Sequence, residues 1–488
     1  MKRTIQVKTI PNLKEAALRD KNIKPEVIYQ SVHIDESIKN IGQNKKFFVR
    51  TYGCQGNLRD GEVIEGILTR LQYQKANTLE EADIIILNTC AVRENAEKKV
   101  FGEIGLLKKL KVKNPDLIFG VCGCMVQQEH IVKKIMETSD HVDLVFGTHN
   151  IHHLPDLIKE AYFSKERVVE VLSNQGNIVE DLPSLRASDF KAWVNIMYGC
   201  NKFCSYCIVP YTRGKERSRK SIDILKEIEE LVEKGYKDVT VLGQNVNAYG
   251  KDIEDISFAE LLKKIALMGV ERIRFTTSHP WDFSDELIDV IAKYDNIMPH
   301  IHLPVQSGDD TILSRMCRRY NVESYKNLVH RIREKIPNVA ITTDIIVGFP
   351  NETEENFKNT LKLVDEIKYD GAFTFIYSPR VGTPAAKMED NVDMTTKKRR
   401  FKELTNLISK HQLAIYQTYQ DKVVKVLVDG YSKKNEKILS GYTEDMKLVN
   451  FKGDPEFIGK IVYVKILKCK TFTLEGEMLE TRCHQFES

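Results

Sequence analysis

The sequence predicts an α/β protein in three parts: an N-terminal doubly wound parallel sheet, a central partial (β/α)6 barrel and a small C-terminal all-β barrel. Three observations carry this. From Lys46 onward, short β-branched runs alternate with amphipathic segments at helical spacing, the pattern of parallel strands joined by crossover helices. Between Ala192 and Arg380 six such units recur, each roughly 30 to 40 residues long, as in a barrel of βα repeats. Beyond about Val423 the helical period gives way to short alternating strands with turns at Gly430 and Gly441, which suits a small closed barrel.

Residues 1–45 are polar, contain Pro11 and Pro25, and show little periodicity; they read as a loosely packed extension. The opening residues have no apolar signal core and carry Glu15 and Asp20, which argues against a secretory or transit segment and for a cytoplasmic protein. No apolar run reaches the roughly 18 residues that a membrane span needs. Hydrophobic content of 42% and charged content of 29% are ordinary globular values, and a net charge of +4 is too small to argue for a nucleic-acid partner; local patches must carry that claim.

In the first domain, 46–163, the strands are FFVRTYG, ADIIILN, LIFGVCG and DLVFGT, separated by helical segments such as GEVIEGILTRLQ and QEHIVKKIMET. Cys54, Cys90 and Cys124 each follow one of these strands. A parallel sheet lines up the carboxyl ends of its strands along one edge, about 4.8 Å apart, and ligands collect there. The three thiols are therefore expected to meet as a ligand set, although buried apolar cysteines remain the plain alternative. Cys122 is close enough to compete, but Cys124 is further into its loop.

A polar connector, 164–190, leads to the second domain, 191–420. Its strands are AWVNIM, DVTVLG, RIRFTTS, HIHLPVQS, VAITTDIIVGFP and FTFIYSPR. Just after the first lie Cys200, Cys204 and Cys207. Three thiols are one short of the usual structural zinc site, which is the alternative along with chance, whereas an iron-sulfur cubane held by three leaves one iron open to a ligand. Barrels do chemistry at the carboxyl ends of their strands, which puts Gln244, Asn245, Ser278, His279, Gln306, Ser307, Asp344, Ser378 and Arg380 in candidate positions. A long helix, Thr395 to Tyr419, headed by Lys397, Lys398, Arg399 and Arg400, leads out; its cations suit a solvated face or a phosphate contact equally. The third domain spans 421–488, and its Cys469 and Cys483 are not at ligand spacing.

The run YGCNKFCSYCIVPYTRGKERSR, with its cysteines and Tyr206, resembles the radical S-adenosylmethionine (SAM) superfamily. With TYGCQGN, NTCAVRENAEKKV, LGQNVNAYG, HLPVQSG, TDIIVGFPNET and YSPRVGTPAA, the chain from Lys46 to its end resembles the methylthiotransferases, and NTCAVRE and YTRGKERSR look most like the MiaB type. Gly56 and Cys317 depart from the family pattern. The resemblance implies a TRAM-type C-terminal barrel that binds RNA, and two 4Fe-4S clusters. Cys54, Cys90 and Cys124 would hold the auxiliary one, and Cys200, Cys204 and Cys207 the SAM-binding one. Tyr206, Gln244, Asn245, Ser278, Gln306, Asp344 and Arg380 become candidate SAM contacts, and Arg213, Lys215, Arg217 and Arg219 candidate RNA contacts. The implied reaction spends one SAM as methyl donor and one as radical source to put a methylthio group on carbon 2 of isopentenyl-adenosine 37 in a tRNA anticodon loop. The implied partners are tRNA and an electron donor such as flavodoxin or ferredoxin, with a monomeric enzyme and no membrane. The nearer alternatives are the threonylcarbamoyl-adenosine and ribosomal-protein aspartate branches; a non-catalytic metal-cluster protein that binds RNA is the more distant one.

Overall fold

A computed structural model of the chain describes residues 3–17, 26–29, 32–91, 94–173 and 177–479. Val92 and Arg93 of the NTCAVRE motif, Cys483 and the end of the third domain lie outside the described residues.

Seven strands form the first sheet, in the order Ile5–Thr9, Arg167–Glu170, Leu144–Phe146, Ile118–Gly123, Ile84–Thr89, Lys46–Thr51, Gln74–Lys75, and their pairings are parallel. Alternation sorts its side chains onto two faces. Ile84, Ile86, Leu144 and Phe146 pack with Ile64, Ile67 and Leu68 of the Gln55–Arg70 helix and with Leu157 and Ile158. Ile85, Leu87, Phe119 and Val121 pack on the other side with Ile104, Leu107, Ile131 and Ile135. The sheet is doubly wound, as expected.

Two parts of the sequence reading need correction. Residues 5–9, placed in a loose extension, add an edge strand paired to Arg167–Glu170, which itself lies in the stretch read as a connector. The IQVKT alternation is short and its partner is some 160 residues away, so local pattern could not reveal it.

The second region carries two three-stranded parallel sheets, Lys191–Asn195 with Asp238–Leu242 and Arg272–Phe275, and His300–His302 with Ala340–Val347 and Gly371–Ile376. Ile297 bridges to Ile273 between them, and one continuous apolar core covers both sheets and the surrounding helices. The long helix runs from Met394 to Gln417. Its head is divided: Lys397 and Arg400 are buried, paired at 2.6 Å with Asp390 and at 2.8 Å with Glu352, whereas Lys398 and Arg399 are exposed, as on a solvated face.

Five antiparallel and parallel strands between Val423 and Met478 close into a barrel. It docks beneath the second region through two arginines. The fully buried Arg272 donates to the Tyr442 and Lys425 carbonyls, and Arg274 to those of Glu444 and Thr443. Among the described residues no helix is long and apolar enough to cross a membrane.

Candidate active site: two facing cysteine triads

Each cysteine of the first triad sits just past the carboxyl end of a strand, where parallel register brings the ends together: Thr51 pairs with Asn88, and Thr89 with Gly123. Cys54 caps the Gln55–Arg70 helix with extended backbone, its thiol unused in capping. Gly53, at φ +118°, lets this loop pass Cys90; a Cβ there would lie 2.6 Å from Cys90 Cβ and 2.9 Å from its Sγ, a clash no side chain could relieve. The Cys124 amide donates to the Thr89 carbonyl at 2.9 Å.

Asn57, fully buried one turn along the helix from Cys54, is the hub of this triad. Its Nδ2 donates to the Thr89 carbonyl at 2.8 Å, and its Oδ1 lies 3.6 Å from Cys54 Sγ and 3.7 Å from Cys124 Sγ. Cys122 points instead into the apolar core, which leaves Cys124 as the third member. Burial pushes the Cys124 thiol up to about 12, with Arg213 pulling the other way.

The second triad is held by a loop fixed at both ends. The Cys200 amide donates to the Gly214 carbonyl, that of Ser205 to Met316, and that of Cys207 to Cys204. Arg318, buried, donates from Nη1 to Cys204 Sγ at 3.3 Å and from Nη2 to the Pro304 carbonyl at 2.8 Å. Burial also pushes Cys207 up to about 12.

The segment that follows the second triad packs on the first. Ile208, the residue after Cys207, packs on Cys124 and Ala91, with Tyr211 at the edge. Arg213, from the loop after the second triad, crosses to the first. Its Nε donates to Cys124 Sγ at 3.0 Å, and its Nη2 reaches Asn57 Oδ1 at 2.9 Å and Asp60 Oδ2 at 2.6 Å. A narrow cleft beside it is lined by Gly56, Tyr198, Gly199, Arg213 and Gln244. A Cβ on Gly56 would sit 3.4 Å from Gln244 Nε2 and 3.7 Å from Cys54 Sγ, so the small residue leaves Gln244 open to the first triad.

The donor sets suit iron-sulfur clusters. Thiol sulfurs are the ligands such clusters take, and the Arg213 and Arg318 guanidiniums offset part of the burial that raises the Cys124 and Cys207 thiols. Among the described residues no three His, Cys, Asp or Glu side chains converge closely enough to hold a single metal ion. At the strand ends of the second region, the buried Asn245 Oδ1, Asn247 Nδ2, Ser278 Oγ and His279 Nε2 lack hydrogen-bond partners, which leaves polar atoms free for a polar ligand.

The remaining sequence-predicted residues divide. Asn245 donates to Asp282 Oδ2 at 2.8 Å, and Gln306 adopts φ +73° with its amide on the Asp344 carbonyl. Tyr206 packs against an apolar cluster with Ile312, Phe349 and Tyr377. Asp344 lies inside its strand rather than at the end, 3.5 Å from His302 Nε2. Arg380 lies beyond its strand and is half-buried. Three of the four basic residues assigned to RNA do other work. Arg213 reaches the first triad from the loop after the second. Arg219 is buried against Glu180 and Glu227 at 2.6 Å each. Arg217 is buried over the Tyr198 ring, donating to the Arg213 carbonyl. Lys215 is half-buried. A run of basic residues looks like a phosphate patch, but here Arg213 and Arg219 pair with Asp60 and Glu180, which lie far away in sequence. Asn57, Asp60 and Arg318 were missed; the first two sit three and six residues after Cys54, inward polar positions on an otherwise apolar helix face.

The chain matches the Radical SAM superfamily over residues 194–364, the uncharacterized protein family UPF0004 over 46–147 and the TRAM domain over 417–479. Among solved structures it is similar to the radical SAM methyltransferase TsrM from Kitasatospora setae, with TM-score 0.51 and 12% identity over 75% of this chain and 74% of that one; this likeness speaks to fold alone. The fold and the second triad together define a radical SAM enzyme with an added α/β domain and a TRAM domain. Curated relatives named tRNA-2-methylthio-N(6)-dimethylallyladenosine synthase are 55% identical in Bacillus subtilis, over 96% of this chain and 92% of that protein, and 56% identical in Bacillus cereus, over 96% and 92%. One from Staphylococcus epidermidis is 55% identical over 97% and 92%. The chain belongs to the tRNA-2-methylthio-N(6)-dimethylallyladenosine synthase family, whose cofactors are SAM and 4Fe-4S clusters.

Proposed function

We propose that the protein installs a methylthio group at carbon 2 of N6-isopentenyladenosine 37 in the anticodon loop of tRNA. Cys54, Cys90 and Cys124 hold an auxiliary 4Fe-4S cluster, and Cys200, Cys204 and Cys207 the SAM-binding one. The observation that best supports this is the packing of Ile208, the residue after Cys207, on Cys124, which makes the two cysteine sets neighbours across the domain boundary.

When bound, these groups supply the electron that cleaves SAM and the sulfur that is transferred, chemistry that an unactivated aromatic C–H bond requires of a cofactor. The chain's own residues hold and shield them. Arg213 and Arg318 each donate to one thiol sulfur, and hydrogen bonds to ligand sulfurs tune such sites. Ala91, Ile208 and Tyr211 pack as an apolar cluster on Cys124. Gln244, in the cleft, and Asn245, just past the Asp238–Leu242 strand, are candidate SAM contacts. Tyr206, Ser278, Gln306, Asp344 and Arg380 are the remaining candidate SAM contacts, and Lys215 the remaining RNA contact of its group. A base in a single-stranded loop can be splayed into such a site at modest cost.

The division into 46–163, 191–420 and 421–488, with the six central units forming one partial β/α barrel, follows this reading. So do a monomeric state, a cytoplasmic setting and a flavodoxin or ferredoxin as electron donor. Mass spectrometry of tRNA nucleosides from a deletion strain tests it: the methylthio group should be lost from isopentenyl-adenosine and return on complementation, and its persistence removes the reading. Anaerobic protein should carry about eight irons, two cubanes' worth.

A further inference from the structure

Trp281 is 48% exposed, on the Pro280–Asp282 turn that follows the Arg272–Phe275 strand. Two cations lie over its indole ring: Lys202 Nζ at 5.7 Å from the ring centroid and Arg319 Cζ at 5.5 Å. Both come from the rim of the second triad. Lys202 lies between Cys200 and Cys204, and Arg319 follows Arg318, whose guanidinium touches Cys204.

The base of this patch is fixed from below. Asp282 accepts from Lys202 at 2.6 Å, Lys251 at 2.7 Å and Asn245 at 2.8 Å. The neighbouring His279 ring meets Tyr320 edge-on at 6.0 Å. Lys202 is thus largely neutralised by Asp282. Arg319 is exposed, and among the described residues it has no carboxylate within ion-pair distance. An exposed indole beside a guanidinium with no carboxylate partner offers a ligand both an aromatic surface and a cation.

From this we infer that Trp281 and Arg319 form a nucleotide-stacking platform, with the indole taking an unstacked base of a single-stranded RNA loop and Arg319 the adjoining phosphate. Aromatic faces bind bases without regard to sequence, and a flanking arginine adds both charge and a second planar surface. Charge complementarity favours RNA over a protein partner here, because the exposed group beside the ring is cationic while the molecule's net charge of +4 gives little long-range pull. The platform rests on the tRNA reading above and specifies where the loop is gripped: beside the SAM-binding triad, where a neighbour of the splayed target base would fall.

The chain has only two tryptophans, Trp193 and Trp281, so in Trp193→Phe protein the fluorescence reports on Trp281 alone. An anticodon stem-loop carrying isopentenyl-adenosine, titrated into cluster-loaded Trp193→Phe protein, should quench that emission saturably. Trp281→Ala in the otherwise wild-type chain should weaken stem-loop binding roughly tenfold, the scale of one base stack, and Trp281→Phe should recover most of it. Arg319→Ala should lower the slope of log Kd against log salt by about one. RNA-independent cleavage of SAM to 5'-deoxyadenosine should stay at the wild-type level in all of them. Wild-type affinity in Trp281→Ala, or an emission unchanged at saturation, overturns the platform while leaving the tRNA reading intact. A wild-type protein that neither binds the stem-loop nor methylthiolates it overturns the tRNA reading, and the platform with it.

Discussion

The Nε of Arg213 donates to Sγ of Cys124 across 3.0 Å, although the two residues lie in different domains, one on the loop after the SAM-type triad and the other at the end of a strand of the first sheet. The same guanidinium is anchored on Asp60 at 2.6 Å. Arg318 repeats the contact within the second triad, 3.3 Å from Cys204. Each cysteine set thus has one buried arginine against one sulfur, and the first set receives its arginine from the domain that carries the second.

Replacing Arg213 by Leu should therefore disconnect the triads. It strands Asp60 and Asn57 in a buried site, a loss of about 3 to 5 kcal/mol for a broken buried pair. The expected outcome is anaerobic protein with iron falling from about eight toward about four per chain, 5'-deoxyadenosine still formed and methylthiolated product lost. Arg213→Lys keeps the charge but not the fork that serves sulfur, amide and carboxylate together, and should fall between. Iron analysis beside a SAM-cleavage assay reads both.

The triads should also be separable by single cysteine changes. Cys204→Ala removes a ligand from the SAM-type set and should abolish both 5'-deoxyadenosine formation and methylthiolation. Cys90→Ala should abolish methylthiolation but leave some abortive SAM cleavage. Full product from the Cys90 variant would mean that the first triad is not a cluster site.

Much of this was legible in the sequence because the signals were local. CxxxCxxC is a short motif, and the alternation of strands and helices fixed which ends of the first sheet carry Cys54, Cys90 and Cys124. Even the choice between Cys122 and Cys124 followed from position along the strand. Side chains whose partners are distant escaped. Arg213 and Arg219 read as a basic patch because Asp60 and Glu180 are far away in sequence, and nothing local says that a charge will be buried. The Ile5–Thr9 strand escaped for the same reason: an edge strand in a polar stretch is defined by its partner.

Gly53 should tolerate no side chain. At φ +118° an L-residue is strained, and a Cβ would meet Cys90 Cβ at 2.6 Å, backed by the buried Asn57. Gly53→Ala is expected to push the Cys54 and Cys90 loops apart, lowering iron at the first triad while the far-UV circular dichroism stays native. Gly102, on an open helix surface with nothing within 4 Å of a new Cβ, is the control; Gly102→Ala should leave iron content unchanged and raise stability slightly, by about 0.5 to 1 kcal/mol.

Acid should unfasten the joint between the first two domains through Glu227. Burial raises this carboxyl, but Arg219, Arg59 and Arg186 outweigh it and bring it down to about 2. Arg219 and Arg186 lie 2.6 and 2.7 Å away, and Arg59 comes from the first domain's Gln55–Arg70 helix. A carboxylate whose folded value is depressed stabilises the fold fully above its unfolded value, near 4.3, and loses that contribution as pH falls through the folded value. Thermal unfolding followed from pH 7 down to about pH 2 should show Tm falling most steeply below about pH 4.5. Glu227→Gln should lower Tm at pH 7, because three guanidiniums, those of Arg59 and Arg219 buried and that of Arg186 half-buried, lose their shared anion, and should flatten the acid limb. An acid limb as steep in Glu227→Gln as in the wild-type protein would assign the acid sensitivity to other carboxylates.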